Sequence, residues 1–510
     1  MQSIKAGLGT AIYTYQHGAL VPITDGNTAA DWDSWEARAF RYLHAQHYYW
    51  NTAYSDLQRY AQSQKTARGL YQHIRPIYNP VFRLVEGYVA NVWGGSLNYD
   101  TLTEGAIPLT GLDEPLTDAV RQLWRWSNWG QAKNRAVRFG TNKGDAVLKL
   151  VTDVQRGTVR IEVVDPVIVQ GVTFDAVGNV KAALIGYDKV GDDGKRYTYQ
   201  EKITGGDGGY FQTLRDGELY AYPENMVNGA PVAEWANPYG FVPLVVIQHR
   251  DVGCQWGGSA YAPVLPKVDE VNDQASKTND FIRVALNPVY YAPGVQGPGQ
   301  LEFREADTGA DDNDPVNRGV AVNVIYGPEG SQMTPLVPQA DLAAALDGVS
   351  RMLAELEKDL PELALPSIRD AGQLTAPGVR AGFSDAVARY AEARGQYDDG
   401  LIRAHMMGIS IGAYHGFSGF EPFSVDSYAA GNLEHYVEER PVINDDLSLL
   451  ERITALTNSG APEYLIWQLC GLSEEEAAAA WAEKQAMDRT LAGAFGQAVI
   501  GGATVIGEGD

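Results

Sequence analysis

The stretch that decides the fold runs from Ser259 to Leu286, SAYAPVLPKVDEVNDQASKTNDFIRVAL, and is matched by Gln339 to Leu360, QADLAAALDGVSRMLAELEKDL. In the first, Val264, Val268, Val271, Ala275, Ile282 and Ala285 fall at helical steps. In the second, Leu342, Leu346, Val349, Leu353, Leu356 and Leu360 make an unbroken 4-3-4-3-4 seam. At 1.5 Å per residue, two helices of 22–28 residues measure roughly 33–42 Å. Between them, 287–338 loses helical spacing: strand-like pieces at Val289–Ala292 and Val320–Tyr326 flank an acidic loop, Asp311-Asp312-Asn313-Asp314. Two long helices therefore bracket a small β-containing insertion of about 50 residues.

Towards the N-terminus, 145–250 changes period from 3.6 to 2. Ala146–Val151, Val159–Val164, Ala182–Tyr187, Tyr197–Ile203, Tyr210–Leu214 and Leu244–Gln248 are rich in β-branched and aromatic residues. Turn signals separate them at Asp165-Pro166, Gly178-Asn179, Asp193-Gly194, Asp207-Gly208 and Asp216-Gly217, leaving no room for crossover helices, so the sheet is expected to be antiparallel. The residues before it, 30–140, read as helical. Asp31 or Asp33 caps a helix through Trp35, Ala39, Tyr42, Leu43 and Gln46 to about Tyr60. A second runs from about Pro80 to Trp93 and is stopped by Gly94-Gly95; a third runs from about Glu114 to Phe139.

Towards the C-terminus, Pro361–Pro377 contains Pro361, Pro366 and Pro377, which forbid a continuous helix and make it a loop. A long helix follows from Gly378 to about Tyr414, with Gly395 and Gly400 as kink points, and strand character returns around Leu433–Val437. The last part reads as helices at Asp445–Asn458, Pro462–Leu469 and Ser473–Thr490, the last opened by a Ser473/Glu476 capping box, with a frayed Gly-rich tail, 493–510. The fold class is α+β.

Composition narrows the function. Of 510 residues, 45% are apolar and 20% charged, the balance of a folded chain, and the net charge is −24. No block of even four basic residues is present. Duplex DNA carries a charge about every 1.7 Å, and proteins that grip it answer with Lys and Arg clusters. The balance argues against a protein that grips nucleic acid by its phosphates and leaves open one special case, a protein that touches DNA without holding it. Met1–Gly7 carries no long apolar run and no stretch approaches a membrane span, so a soluble protein without a signal peptide is expected. Two cysteines, Cys254 and Cys470, make no disulfide framework and read as thiols in a reducing compartment.

No motif carries catalysis, a cofactor or a metal. His44 and His47 stand three apart behind Asp31 and Asp33, a spacing commoner for surface or interface histidines than for ligands. Asp311–Asp314 lacks the Gly and Glu of a calcium loop. Gly191-Asp192-Asp193-Gly194-Lys195 is a hairpin turn between β segments, not a phosphate loop. Gly416-Phe417-Ser418-Gly419 misses the nucleophile-elbow pattern. Eleven Trp, 28 Tyr and many carboxylates would suit a carbohydrate-active enzyme, but no acid pair stands out and the bracketed insertion is left unexplained. A structural or scaffold protein is a further reading.

The order of parts resembles the portal protein of tailed double-stranded DNA bacteriophages. Tyr78-Asn79-Pro80-Val81-Phe82-Arg83-Leu84-Val85-Glu86 with Val92-Trp93-Gly94-Gly95 is similar to that family's early helix, and Val163-Val164-Asp165-Pro166 to its wing turn. Gly257-Gly258-Ser259-Ala260-Tyr261 leading to Val268-Asp269-Glu270-Val271-Asn272 resembles the start of its stem helix, and Asn287-Pro288 the stem's exit. Thr375-Ala376-Pro377-Gly378-Val379-Arg380-Ala381 resembles the opening of its long helix, with Pro377 departing from the usual small polar residue. Ala455–Gly460 with Gly471-Leu472-Ser473-Glu474-Glu475-Glu476 is similar to its crown hairpin.

The resemblance implies a wing over 1–258, stem helices at 259–286 and 339–360, a clip at 287–338 and a tunnel loop at 361–377. A long kinked helix with the wing's return strand at 378–442 and a crown at 443–492 complete it. It further implies a closed homo-oligomeric ring of about twelve subunits that passes double-stranded DNA. Its implied partners are the terminase large subunit, a head-completion adaptor, and the major capsid and scaffold proteins; no membrane is among them. The implied location is the portal vertex of the virion, after assembly in the host cytoplasm. Catalytic residues, cofactors and metals are expected to be none. On this reading Leu363, Leu365, Ser367, Ile368, Arg369, Asp370 and Gln373 line the channel's constriction. Lys267, Lys277, Arg283, Arg351 and Lys358 are stem positions facing the channel, and Glu302, Arg304, Glu305 and Arg318 dock partners at the clip. The stem's polar faces are mixed, with Asp269, Asp273, Asp280, Asp341, Asp347 and Glu355 beside those cations. Asp445 to the end holds eleven acids and three bases, and Gln296–Pro335 seven and two. An acidic conduit keeps DNA mobile by repulsion over about 8–10 Å.

Overall fold

The computed structural model describes residues 32–54, 74, 77–286 (apart from 177, 192, 193 and 228), 289–293, 324–327, 335–336, 342–363, 376–438 (apart from 432), 478, 481, 482 and 484. Of these, 283–293, 324–327, 335, 336, 342, 376–383 and 429 are described by backbone course alone. The chain forms two compact units, Met1–Pro366 with Asp385–Arg440, and Ser367–Ser384 with Pro441–Asp510. In the second, the described residues are the start of a helix at 376–384 and helical positions 478, 481, 482 and 484; the expected Ser473/Glu476 capping box and Gly-rich tail lie outside them.

In the first unit, helix α1 (Trp35–Tyr49) is capped by Ser34, whose hydroxyl accepts from the Ala37 N–H at 3.4 Å. The expectation of an Asp cap is corrected: Asp33 instead accepts from the N–H groups of Gln255 and Trp256, at 3.3 and 3.2 Å. The helix also ends at Tyr49, before the expected Tyr60, and Asn51 (φ 57°) turns the chain. Helix α2 (Pro80–Val92) lies where its apolar face placed it. After strand β1 (Leu109–Thr110), the single helix expected at 114–139 proves to be two, α3 (Glu114–Ser127) and α4 (Trp129–Lys143). The break is Asn128 in the left-handed region (φ 47°), a conformation Asn tolerates better than most residues.

The β region is antiparallel throughout. Its strands are β2 (Asp145–Asp153), β3 (Thr158–Val164), β4 (Val169–Phe174), β5 (Val180–Val190), β6 (Arg196–Thr204), β7 (Tyr210–Arg215), β8 (Glu218–Leu219), β9 (Met226–Val227), β10 (Ala230–Pro231), β11 (Glu234–Ala236) and β12 (Leu244–Gln248). They form two main sheets, β12-β2-β3 and β11-β7-β6-β5-β4, with β8 on β7. Val147, Val169, Ile185, Ile203, Phe211, Leu244 and Trp256 pack between them, and Lys149 pairs with Glu201 at 2.5 Å beside that core. The Asp165-Pro166 turn is a 3-10 turn, where Asp165 caps the Val167 N–H at 3.0 Å and takes the Lys143 ammonium at 2.6 Å.

Helix α5 (Leu265–Leu286) starts six residues later than the expected Ser259, after a 3-10 turn at Ala262–Val264, with Pro266 in its first turn, where no N–H is needed; β13 (Val289–Pro293), β14 (Val324–Gly327), β15 (Pro335–Leu336) and α6 (Leu342–Asp359) follow. Strand β13 pairs β14 in parallel and β15 antiparallel, with Val289 opposite Leu336, so the far ends of α5 and α6 are joined by a ladder. The two helices pack on each other. Of the seam, Val349, Leu356 and Leu360 are buried, whereas Leu346 is 47% exposed.

Helix α7 (Ala376–Tyr414) starts two residues earlier than expected, because Pro377 falls in its first turn, where no N–H is needed. It is unbroken at both glycines expected to kink it. Their use differs: a Cβ on Gly400 would stand 2.4 Å from Ile247 Cγ1, so this glycine lets the helix seat on β12, while Gly395 faces open space. Helix α8 (Ser427–Ala430) and strand β16 (Tyr436–Val437) follow, and β16 pairs β1 as the expected return strand. Among the described residues no helix is long and apolar enough to cross a membrane. Gly400→Ala is expected to lower stability by about 1–3 kcal/mol through overpacking, and Gly395→Ala to raise it by up to about 1 kcal/mol. Denaturant unfolding at fixed protein concentration reads both.

Candidate functional site at the root of the helix pair

Long helices that leave a domain must be fixed at their base, and here the base is polar. Asn272 of α5 stands on the stripe of Val268, Val271, Ala275 and Ser276, and is 1% exposed. Its side-chain oxygen accepts from the Ile77 and Tyr78 N–H groups at 2.9 and 2.8 Å, and its amide donates to the Tyr78 carbonyl at 3.1 Å. One side chain thus satisfies three backbone groups of the segment that leads into α2.

A turn towards the N-terminus, Asp269 accepts from Tyr48 at 2.8 and 2.9 Å and from Tyr54. Burial raises the Asp269 carboxyl above its usual range against the opposing pull of those two hydroxyls. Asp269 therefore belongs to the inner side of α5, which corrects its placement on the polar face.

The second helix ends in a matching arrangement. Leu360 closes α6 against a 3-10 turn, Pro361–Leu363, where Glu362 is buried. Its carboxylate accepts from the Tyr88 hydroxyl at 2.8 Å and faces the Arg389 guanidinium at 3.4 Å. Arg389 also donates to the Asp359 carbonyl at 3.0 Å, and Arg83 donates to the Leu363 carbonyl at 2.7 Å. Burial, then Glu362, pushes the Tyr88 hydroxyl far up, so it remains a donor at all ordinary pH. Lys267 at the start of α5 pairs with Asp359 at the end of α6, which makes the two helices antiparallel at their base.

Each cation of α5 and α6 whose side chain is described lies against an acid. Besides Lys267, Lys277 pairs with Asp273, Arg351 with Asp347 at 2.7 Å, and Lys358 with Glu355 at 2.5 Å. The last three are exposed pairs within one helix, worth tenths of a kcal/mol, and their effect is to cancel charge along the surface. Arg283 is described by its backbone only. Leu363, expected at a constriction, is 3% exposed and packs inside the unit. Leu365, Ser367, Ile368, Arg369, Asp370 and Gln373, like Glu302, Arg304, Glu305 and Arg318, lie outside the described residues. Sequence reasoning missed Asn272 and Glu362; an Asn on an apolar stripe was the signal for the first.

His44 stacks on Phe40 at 5.6 Å and meets Tyr48 edge-on at 5.0 Å, and burial lowers its pKa to about 4. Cys254 is a half-buried free thiol.

No family model matches the chain, and no curated protein matches it. Among solved structures it is similar to a chain of the virion of a native gene transfer agent particle, with 13% identity, a TM-score of 0.32, and coverage of 75% of this chain and 85% of that one.

Asn272→Ala is expected to cost about 2–4 kcal/mol, because buried backbone groups lose their partner; denaturant unfolding measures it. A double-mutant cycle on the half-exposed Lys267–Asp359 pair is expected to give under about 1 kcal/mol of coupling, shrinking in high salt.

Proposed function

We propose that this chain is the ring subunit of a viral portal vertex. It is a non-enzymatic subunit, copies of which stand around an axis and enclose the channel through which double-stranded DNA is packaged and released. The observation that carries the reading is the antiparallel pair α5 and α6, rooted in the two-sheet unit by Asn272 and Glu362 and closed at its other end by the small β14-β13-β15 sheet. A ring needs side-by-side elements that can repeat around a closed interface, and such an arm supplies one.

The charge supports the same reading. The chain carries −24 overall, and the described cations of the helix pair are each compensated by an acid. A duplex moving past such a surface meets no cationic strip to hold it. In this reading the β-bearing tip docks the terminase large subunit, which hydrolyses the ATP, and later a head-completion adaptor. The major capsid and scaffold proteins contact the subunit in the virion, which assembles in the host cytoplasm. The loop 361–377, with Arg369 as its one cation, forms the constriction through residues beyond Leu363.

Native mass spectrometry of the purified full chain is expected to find a closed oligomer of about twelve copies; a monomer at every concentration would contradict the proposal. Replacing Arg369 by Ala and shortening the loop are expected to impair DNA retention in a packaging assay. Unaltered packaging and retention would remove the loop from the channel.

A further inference from the structure

The unit holds a buried histidine pair with a single direction of hydrogen bonding. Trp124 Nε1 of α3, which can only donate, lies 2.8 Å from His405 Nε2 of α7. The His405 proton is therefore on Nδ1, which lies 3.0 Å from His435 Nε2. His435 in turn carries its proton on Nδ1 and donates to the Leu433 carbonyl at 2.8 Å. The two rings stack 5.3 Å apart and are 0% and 1% exposed.

All four ring nitrogens are used, and an added proton has no acceptor. On His435 Nε2 it would face the N–H of His405, and on His405 Nε2 the N–H of Trp124. Among the described residues no carboxylate pairs with either ring. Among the described groups, α3 presents Trp124, backed by the Tyr99 ring, and α7 presents His405. The β1 side presents Gly111, with the His435 Cα 3.6 Å from where its Cβ would stand. On the segment itself Glu434 accepts from the Tyr436 hydroxyl at 3.3 Å. Burial lowers both histidines, His405 further through its neighbour His435.

The held segment has few other ties beyond the burial of Leu433, which is 1% exposed. Strand β16 makes a two-residue ladder with β1, the Glu438 N–H donates to the Pro108 carbonyl at 2.8 Å, and Arg394 reaches the Glu438 carbonyl at 3.3 Å. Residues 441–510 follow directly in the chain.

We propose that Trp124, His405, His435 and the Leu433 carbonyl form a proton-operated clasp. Uptake of a proton by either histidine breaks the relay and frees 433–438 while the rest of the unit stays folded. Because the closed form keeps both rings neutral, the clasp holds fully above about pH 6.5, the ordinary histidine value, and weakens as pH falls below it. From pH 7 to pH 5 the opening equilibrium rises by up to about 25-fold per histidine.

Hydrogen–deuterium exchange of the full chain, corrected for the intrinsic pH dependence of exchange, tests this. Between pH 7 and pH 5, protection of 433–438 is expected to fall by about tenfold or more, with the β5–β6 hairpin unchanged. The double variant His405→Gln, His435→Gln is expected to flatten the profile. A flat wild-type profile, or loss of protection in both segments together, overturns the proposal, and so does a folded double variant that keeps the wild-type profile. Should the variant fail to fold, the wild-type comparison of the two segments decides.

Discussion

The helix pair depends on the burial of a few polar groups at its base. Above the root, α5 and α6 have each other on one side and exposed surface elsewhere, with Leu346 left 47% exposed. Apolar burial is concentrated at the root, at Val268, Val271, Ala275, Leu356 and Leu360. The fixing is done where Asn272 takes three backbone partners and Glu362 takes Tyr88 and Arg389. Such contacts are directional, so they set the angle of the helices as well as their attachment, and an unmade bond there leaves a buried group unsatisfied. Helix α7 contributes both to this root, through Arg389, and to the seat on β12, through Gly400.

The surface above the root is governed by cancellation. Lys277, Arg351 and Lys358 each sit one turn from an acid on the same helix. These pairs add little stability. Their consequence is a polar face with small net field at short range, on a chain whose total charge is strongly negative. For an assembly that lets a polyanion slide, such a face is more useful than a cationic one, since phosphate contacts raise affinity and slow release.

Much of this was legible in the sequence. Period-2 alternation located β2, β3, β5, β6, β7 and β12 to within a few residues, and Pro80 and Gly94 bounded α2. The helix pair and its β insertion followed from the seam at 342–360 and the loss of helical spacing after Leu286. What was hidden depended on distant partners or on one residue's backbone. Strand β12 returns to β2 across about 90 residues of chain, a choice made by packing of Val147 and Leu244 in one core. Asn128 splits a continuous helical pattern through its φ alone. Asp33 looks like a cap but is drawn to Gln255 and Trp256. At the site, Asn272 interrupts an apolar stripe, a signal that the sequence reading passed over, whereas Glu362 and Arg389 come together only through the fold.

The proposed function requires that subunits stand side by side around an open axis. Electron-microscope top views of the purified full chain test it most directly. Closed rings with a central bore wide enough for duplex DNA are the predicted result; compact single particles without a bore, at all concentrations, would contradict it.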